Sequence, residues 1–294
     1  MSALKSLPLL SLLLISHCAF ALSAADVQKR IDKDIATSNP LVAHLSVALA
    51  DNKYQWIAKV PDKIGNGQDP KNNLYWGALY GVKTFLTKKS GWKKVEHFSA
   101  PPKEILERIV LTKKINRNGK AIPVFLVADA WNGKHIALAT QTFFDHASGK
   151  ISENVPINHA KKRITLRAGG KAHLVSYIGH DLLMDLNFMA SNGLTDVIDI
   201  DDIKPIISNP HKTSVVLACQ SKKYFKSKLQ ELGTNPLILT NTNMAPEAYS
   251  INAILFSFFS KNTPKEIHEA TAKAYNKYQK SGIKGARRVF SYQN

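Results

Sequence analysis

Short apolar runs alternate with amphipathic segments along most of the chain, a pattern typical of an α/β fold. The segments that predict strands are residues 45–49, 92–98, 122–128, 174–178, 215–218 and 236–239. The segments that predict helices are residues 74–86, 103–112, 136–144, 182–188, 221–232, 245–259 and 265–280. Strands of a parallel sheet covered on both faces are apolar in this way. The pattern therefore predicts a three-layer α/β/α sandwich built around a mostly parallel sheet.

Two of the predicted helices carry start signals in the sequence. Thr263 is a favourable N-cap and Pro264 a favourable first residue for the helix at 265–280. Pro101 and Pro102 precede residues 103–112 and favour a helix start there. We find no internal repeat, and the length suits one large domain, so we predict a single domain over residues 25–294.

The first 24 residues match a secretory signal peptide. Lys5 supplies the positive charge, residues 9–15 form the apolar core, and residues 19–24 hold two small-residue cleavage patterns. The core is too short for a bilayer, which requires about 20 residues. We predict that residues 1–24 are removed, that no transmembrane segment is left, and that the mature protein is periplasmic or secreted. A retained anchor and a lipid attached to Cys18 are the alternatives.

The chain is strongly basic, with a formal net charge of +18 at pH 7. Removal of the leader takes away one lysine and no acidic residue. This charge favours acidic surroundings, and an acidic envelope surface is a predicted partner. The lysines are scattered and form no single stripe interleaved with aromatic residues, so nucleic acid is not a predicted partner.

The mature chain is predicted to contain a single thiol. The chain has two cysteines, and removal of the leader leaves Cys219 alone, without a partner for an internal disulfide. In an oxidising compartment a single thiol is a liability unless it is buried or used. Cys219 is therefore interpreted either as a working thiol or as an inert buried one.

Polar residues follow the predicted strands, where a parallel sheet binds its ligands. We predict that His180 and Cys219 are catalytic. The predicted substrate-binding residues are Asp51, Asn52, Asp129, Asp181, Gln220, Asn241 and Asn243. If the strands are neighbours, these side chains converge on one edge of the sheet. The alternative for the acidic residues is a role as strand-end caps or turn formers.

His180 and Cys219 together suggest nucleophilic catalysis. A thiolate is the attacking species, and a nearby imidazole helps to form it. A cysteine between a strand and a helix also lies near the positive end of the helix, which favours the thiolate. The sequence therefore predicts a lowered thiol pKa, attack on a carbonyl, and His180 as base and then acid. Backbone N–H groups would stabilise the developing oxyanion.

Residues 215–219, Val-Val-Leu-Ala-Cys, resemble the nucleophile block of the caspase-like cysteine peptidases, which include caspases, gingipains, legumains and separases. Residues 174–180, Leu-Val-Ser-Tyr-Ile-Gly-His, are similar to their histidine block, and the order of the two blocks agrees. The resemblance implies a caspase-like fold with His180 as general base and Cys219 as nucleophile. Asp181 stands where the family usually has glycine, and the caspase signature around the cysteine is absent.

The sequence suggests two functions. The first is a secreted or periplasmic cysteine hydrolase that acts on a peptide or other amide substrate. The second is a non-catalytic periplasmic or envelope binding protein on the same scaffold. No zinc motif, Walker loop, dinucleotide fingerprint or Gly-x-Ser-x-Gly elbow occurs, so we predict no metal and no cofactor.

We expect export to remove the leader. Mass spectrometry of the exported protein should find a new N-terminus between Leu22 and Asp26. Recovery of the chain with Met1 intact from the cytoplasm would contradict the signal-peptide interpretation.

Overall fold

A computed structural model of the chain describes residues 24–98, 101, 104–185, 203–204 and 212–293. The signal prediction and Cys18 lie outside the described residues, apart from Ala24. The helices are α1 (Ala24–Ala36), α2 (Val82–Lys89), α3 (Ile136–Ser148), α4 (Ser221–Glu231), α5 (Ala248–Phe259), α6 (Pro264–Gln279) and α7 (Ile283–Val289). The strands are β1 (Leu41–Ala48), β2 (Lys93–Phe98), β3 (Ile105–Arg117), β4 (Lys120–Trp131), β5 (Ser152–His159), β6 (Lys162–Gly169), β7 (Leu174–Ile178), β8 (Thr213–Leu217), β9 (Asn235–Thr240) and β10 (Phe290–Tyr292).

The fold is α/β, and its main sheet is mixed but mostly parallel. Eight strands lie in the order β10-β9-β8-β7-β1-β4-β3-β2. The strands β9, β8, β7, β1 and β4 are parallel to their neighbours in this run. The antiparallel strands β10, β3 and β2 extend the sheet at its two sides. The predicted α/β class and mostly parallel sheet are therefore confirmed.

Alternate residues of the central strand β1 face two separate hydrophobic clusters. Leu45 and Val47 belong to one cluster, together with apolar residues of α5 and α6. Val42 and Ala48 belong to the other, together with apolar residues of α3 and α4. Every residue of β1 is buried. β1 therefore lacks the exposed polar face of a half-buried strand, and its two polar residues, His44 and Ser46, are buried with the apolar ones.

The prediction of a helix at residues 103–112 is wrong, because Ile105 and the residues after it belong to strand β3. β3 pairs with β4 in a long antiparallel hairpin from Ile105 opposite Trp131 to Arg117 opposite Lys120. Asn118 and Gly119 form the connection and both have positive φ, 52° and 78°. Asn-Gly is the favoured two-residue sequence for this type of hairpin turn. The turn and the pairing with β4 override the Pro101-Pro102 helix signal.

The helix predicted at residues 74–86 is wrong in its first half. Residues 74–81 form turns, and α2 begins at Val82. At Gly77 an added Cβ would lie 2.0 Å from the carbonyl oxygen of Lys71, so the backbone passes too close for any side chain. The apolar residues at helical spacing here belong to a compact loop that packs on the sheet.

The antiparallel hairpin of β5 and β6 forms a second, two-stranded sheet that the sequence analysis missed. Val155, Ile157 and Leu166 bury its inner face in the same cluster as α3. Arg108 of β3 donates from Nη1 to Glu153 of β5 at 2.6 Å, which ties the hairpin to the main sheet.

The C-terminal helix α6 has the start that the sequence predicts. Thr263 Oγ1 accepts from the Glu266 backbone N–H, and the Glu266 carboxylate accepts from the Thr263 backbone N–H. This reciprocal capping box satisfies two N–H groups at the helix end. Among the described residues, no helix combines the length and apolarity required to cross a membrane.

Asn73 holds the loop between β1 and α2 against the end of β1. It is fully buried, and its Oδ1 accepts from the N–H groups of Ala50 and Tyr75, both at 3.1 Å. Its Nδ2 donates to the carbonyl oxygens of Ala50 at 2.8 Å and Asn66 at 3.0 Å. One side chain therefore satisfies four backbone groups, and its bonds to Ala50 and Tyr75 are buried.

Asn73→Ala should destabilise the protein by about 2–4 kcal/mol, because it leaves buried N–H and carbonyl groups without partners. The matched control is Asn72→Ala at the neighbouring half-buried position, where the side chain bonds to Asp69 alone; we expect a loss below about 1 kcal/mol. Urea unfolding of both variants measures the difference. Equal losses would contradict this role of Asn73.

Candidate functional site

The sheet brings His180 and Cys219 to the same edge. β7 and β8 are adjacent and parallel, with Ile178 opposite Leu217. His180 and Cys219 each follow this pair by two positions. The Gly179 N–H donates to the carbonyl oxygen of Leu217 at 3.2 Å, which continues the pairing past the strand ends. The sequence expectation that the two strands are parallel neighbours is confirmed.

Both residues line one cavity of about 540 Å³, which we call the strand-end cavity. The connection after β1 contributes residues 56–58, 60 and 74–75. The loop after β9 contributes residues 243–247, and α6 contributes Tyr275 and Gln279. The cavity thus lies beyond the carboxyl ends of β1, β7, β8 and β9. In parallel sheets ligands bind at this edge, near the point where the strand order reverses, which is here between β1 and β7.

His180 is buried and paired with a carboxylate. Its Nε2 hydrogen-bonds to Asp185 Oδ2, and its backbone carbonyl accepts from the Tyr177 hydroxyl at 2.8 Å. Residues 182–185 are helical, and this turn brings Asp185 back beside the ring. A ring that donates from Nε2 to a carboxylate keeps its neutral-state lone pair on Nδ1. Asp185 therefore favours the tautomer in which Nδ1 is the base.

Cys219 is half-buried and protonated rather than activated. Burial raises the pKa of the thiol, and the nearby carboxylates of Asp181 and Asp185 raise it further. The thiol contacts the carbonyl oxygen of Met244 as a weak donor at 3.8 Å. The lowered thiol pKa expected from the sequence is therefore wrong. Desolvation and the two carboxylates are the causes of the raised pKa.

Asp181 directly follows His180 and is fully buried. Its Oδ1 accepts from the Met184 backbone N–H at 3.1 Å and so caps the helical turn at 182–185. Its Oδ2 has no hydrogen-bond partner among the described residues. Burial raises the pKa of this carboxyl to about 7, although the backbone N–H groups of Met184 and Leu183 oppose the shift. Asp181 therefore titrates near neutrality.

Two further predicted residues lie beside Cys219. Gln220 has a left-handed backbone, with φ of 50°, and its N–H donates to the carbonyl oxygen of Thr242 at 3.0 Å. Its side chain donates from Nε2 to Asn243 Oδ1 at 3.0 Å, and Asn243 lines the strand-end cavity. This contact joins the ends of β8 and β9 at the cavity.

Asp51 and Asn52 follow β1, as predicted, but they stabilise the loop and do not line the strand-end cavity. Asp51 Oδ1 accepts from the N–H groups of Lys53 and Tyr54, at 2.9 and 3.1 Å. Asn52 exchanges two hydrogen bonds with the backbone of Val60, at 2.7 and 3.2 Å. Both side chains therefore act as turn formers.

Asp129 and Asn241 also lie away from the cavity lining. Asp129 is within β4 and not at its end, since the strand continues to Trp131. Two bonds from Arg108, at 2.5 and 2.7 Å, hold its pKa below the usual range despite burial. Asn241 donates to the carbonyl oxygens of Arg288 and Phe290 and fastens the C-terminal segment.

The sequence analysis missed Asp185, Glu247 and Tyr275. Asp185 lies on a turn of a predicted helix, five residues after His180, and that spacing was the one signal available. Glu247 and Tyr275 reach the strand-end cavity through the packing of α5 and α6, which no local pattern reveals. Tyr75, at the end of the turn-rich loop, lines the cavity, whereas Trp76 is buried and donates to Glu107 at 2.7 Å.

A separate buried cluster offers metal-ligating groups. His44, His146 and Glu153 have potential ligand atoms within 4.8 Å of one another. However, His44 Nδ1 accepts from the Gly169 N–H at 2.9 Å, and its Nε2 lies 3.0 Å from Asp129 Oδ2. The neutral ring therefore carries its proton on Nε2 and has no lone pair for a metal. The two remaining ligands are too few for a zinc site.

Comparison with protein-family models, with curated proteins and with solved structures found no match for this chain. The caspase-like interpretation therefore depends on the two strand-end blocks and on the geometry around His180 and Cys219.

The Asp181→Asn variant tests whether ionisation of the buried Asp181 carboxyl destabilises the protein. A carboxyl whose pKa rises from 3.8 to about 7 on folding contributes stability below about pH 4 and loses it as the pH increases through 7. An asparagine side chain does not titrate, so the variant does not lose stability in this way. We expect the stability of the variant relative to wild type to be about 2 kcal/mol greater at pH 8 than at pH 5, as measured by urea unfolding. A difference independent of pH would contradict the raised pKa.

Proposed function

We propose that this protein is a secreted or periplasmic cysteine hydrolase that cleaves a peptide or other amide bond with His180 and Cys219. The observation that carries the proposal is that His180 and Cys219 follow adjacent parallel strands and that both line one cavity. We further propose a caspase-like, three-layer α/β/α sandwich, since helices of the two hydrophobic clusters pack against opposite faces of β1.

In the proposed reaction, Cys219 attacks the carbonyl carbon while His180 Nδ1 takes the thiol proton. The tetrahedral intermediate collapses when His180 returns that proton to the leaving amine, which yields an acyl-enzyme thioester. Water then attacks the thioester with His180 again as base, and the thiol and a carboxylic acid are released. Asp185 holds the ring and stabilises the imidazolium that forms, as the acidic residue of a catalytic triad does.

The oxyanion requires backbone N–H donors near Cys219. The Gln220 N–H is already bonded to Thr242 and is not a candidate. The Asp181 N–H makes no hydrogen bond to a described residue, and it follows His180 directly. We therefore assign the donor to the Asp181 backbone. This is the position where the family that the sequence resembles usually has glycine.

A second candidate function is a non-catalytic binding protein of the periplasm or envelope. The raised pKa of the Cys219 thiol favours it, because a protonated sulfur is a poor nucleophile. In that interpretation the strand-end cavity binds a polar ligand through His180 and Asn243. The leader-like residues 1–24 and the net charge of +18 support export and contact with an acidic envelope surface for both candidates.

Replacement of the dyad tests catalysis. Cys219→Ala should abolish hydrolysis of peptide substrates and leave the fold intact, because it removes one half-buried sulfur atom. His180→Ala should reduce kcat/KM by a similar factor, and the double variant should be no worse, since the two residues act as one unit. Hydrolysis by purified Cys219→Ala would contradict the proposal and favour the binding protein.

The Asp185→Asn variant distinguishes a role of Asp185 in positioning His180 from a purely structural role. The amide conserves the volume but no longer favours the Nδ1-base tautomer, so we expect kcat to fall at least about tenfold with little change in KM. The pH profile of kcat should also move, which a merely structural role would not cause. Unchanged kcat and pH profile, with hydrolysis still dependent on Cys219, would remove Asp185 from the mechanism.

A further inference from the structure

The charge of the strand-end cavity is opposite to that of the chain. The sequence has 40 lysine and arginine residues against 22 acidic ones. Yet no lysine or arginine is among the described residues that line the cavity, and one carboxylate, Glu247, is. The carboxylates of Asp181 and Asp185 are close enough to influence the Cys219 thiol. A basic protein thus has a negatively charged cavity around its candidate nucleophile.

Glu247 is held in place but is not neutralised. Its Oε2 accepts from the Tyr249 hydroxyl at 2.7 Å and from Gln279 Nε2 at 3.0 Å. Its Oε1 accepts no hydrogen bond from a described residue, and no cationic side chain among those residues lies within salt-bridge distance. The neutral donors fix the orientation of the carboxylate, and its charge stays available to a ligand.

Aromatic rings line the same cavity. Trp56 is 61% exposed at its wall, and Tyr75 and Tyr275 also contribute to the lining. The hydroxyls of these two tyrosines lie close enough to Cys219 for its charge to raise their pKa values, although burial is the larger cause. Aromatic faces attract ammonium and guanidinium groups and pack against the alkyl stems of lysine and arginine.

We propose that the strand-end cavity binds a lysine or arginine side chain of a peptide, with Glu247 as the specificity-determining residue. Cleavage next to that side chain rests on the hydrolase function proposed above; binding of the cation does not. An acidic side chain would meet Glu247 without any compensating cation from the protein, and an uncharged one would leave the carboxylate unpaired.

The bound cation also favours formation of the Cys219 thiolate. Burial and the carboxylates of Asp181 and Asp185 keep the thiol protonated in the empty cavity. A positive charge brought into the cavity counteracts these carboxylates and favours transfer of the thiol proton to His180. The nucleophile is therefore activated by the substrate that it cleaves, and the free thiol is protected in an oxidising compartment.

Charged thiol reagents test the cation site without requiring catalysis. The full chain with Cys18→Ser leaves Cys219 as its one thiol. We would compare its rate of modification by 2-aminoethyl methanethiosulfonate, a cation, with that by 2-sulfonatoethyl methanethiosulfonate, an anion. After correction for the ratio found with free cysteine, we expect the cation to react at least about tenfold faster at low salt. A corrected ratio of one or less would overturn the inference.

Glu247→Gln identifies the residue responsible. It retains an acceptor for Tyr249 and removes the charge, so the corrected ratio should fall at least about threefold. The matched control is Glu231→Gln, an exposed position at the end of α4 and outside the cavity lining, which lowers the net acidic charge by the same amount. Equal falls in both variants would overturn the assignment to Glu247. Thermal unfolding checks that both variants are folded.

Peptide substrates separate this inference from the hydrolase function. We would compare pairs that differ in arginine against citrulline before the scissile bond, since citrulline has the same shape without the charge. Preference for arginine that Glu247→Gln removes supports both proposals. Efficient cleavage of citrulline or acidic peptides over arginine overturns the cation site and leaves the hydrolase. Reagent selectivity without cleavage of any peptide supports the cation site and contradicts the hydrolase.

Discussion

The parallel pairing of β7 with β8 is the constraint on which the proposed site depends. Because paired residues of parallel strands point the same way along the sheet, Ile178 opposite Leu217 places the residues two positions later at one edge. Both strands are buried along their whole length, and the backbone pairing between them holds this register. The cavity, the dyad and the surrounding loops follow from that one alignment.

The charges around the cavity disfavour the thiolate form of Cys219. Three acidic side chains, Asp181, Asp185 and Glu247, lie in or behind the cavity lining, and no lysine or arginine among the described residues lines it. Desolvation makes the effect of Asp181 and Asp185 on the Cys219 thiol stronger than it would be in water. The thiol is therefore protonated, and the cationic ligand proposed above would counteract these two carboxylates.

The loop between β1 and α2 connects stability to the site. Asn73 satisfies backbone groups of Ala50, Asn66 and Tyr75, and the same loop presents Trp56 and Tyr75 to the cavity. A loop of this length holds its shape only if its buried backbone polar groups are paired. Asp51 and Asn52, expected to bind substrate, contribute to that pairing instead. Some polar residues at a strand end therefore stabilise the following loop, whereas others line the cavity.

The sequence by itself determined the α/β class, most of the apolar strands, the N-cap at Thr263, and the placement of His180 and Cys219 after apolar strands, because local periodicity and caps act within a few residues. Tertiary structure decided the rest. Residues 105–112 belong to β3 because pairing with β4 outweighs a proline start signal. Glu247 reached the cavity through helix packing, and the thiol pKa rose because burial depends on atoms distant in sequence. Interactions between residues that are distant in sequence leave no local pattern from which they could be predicted.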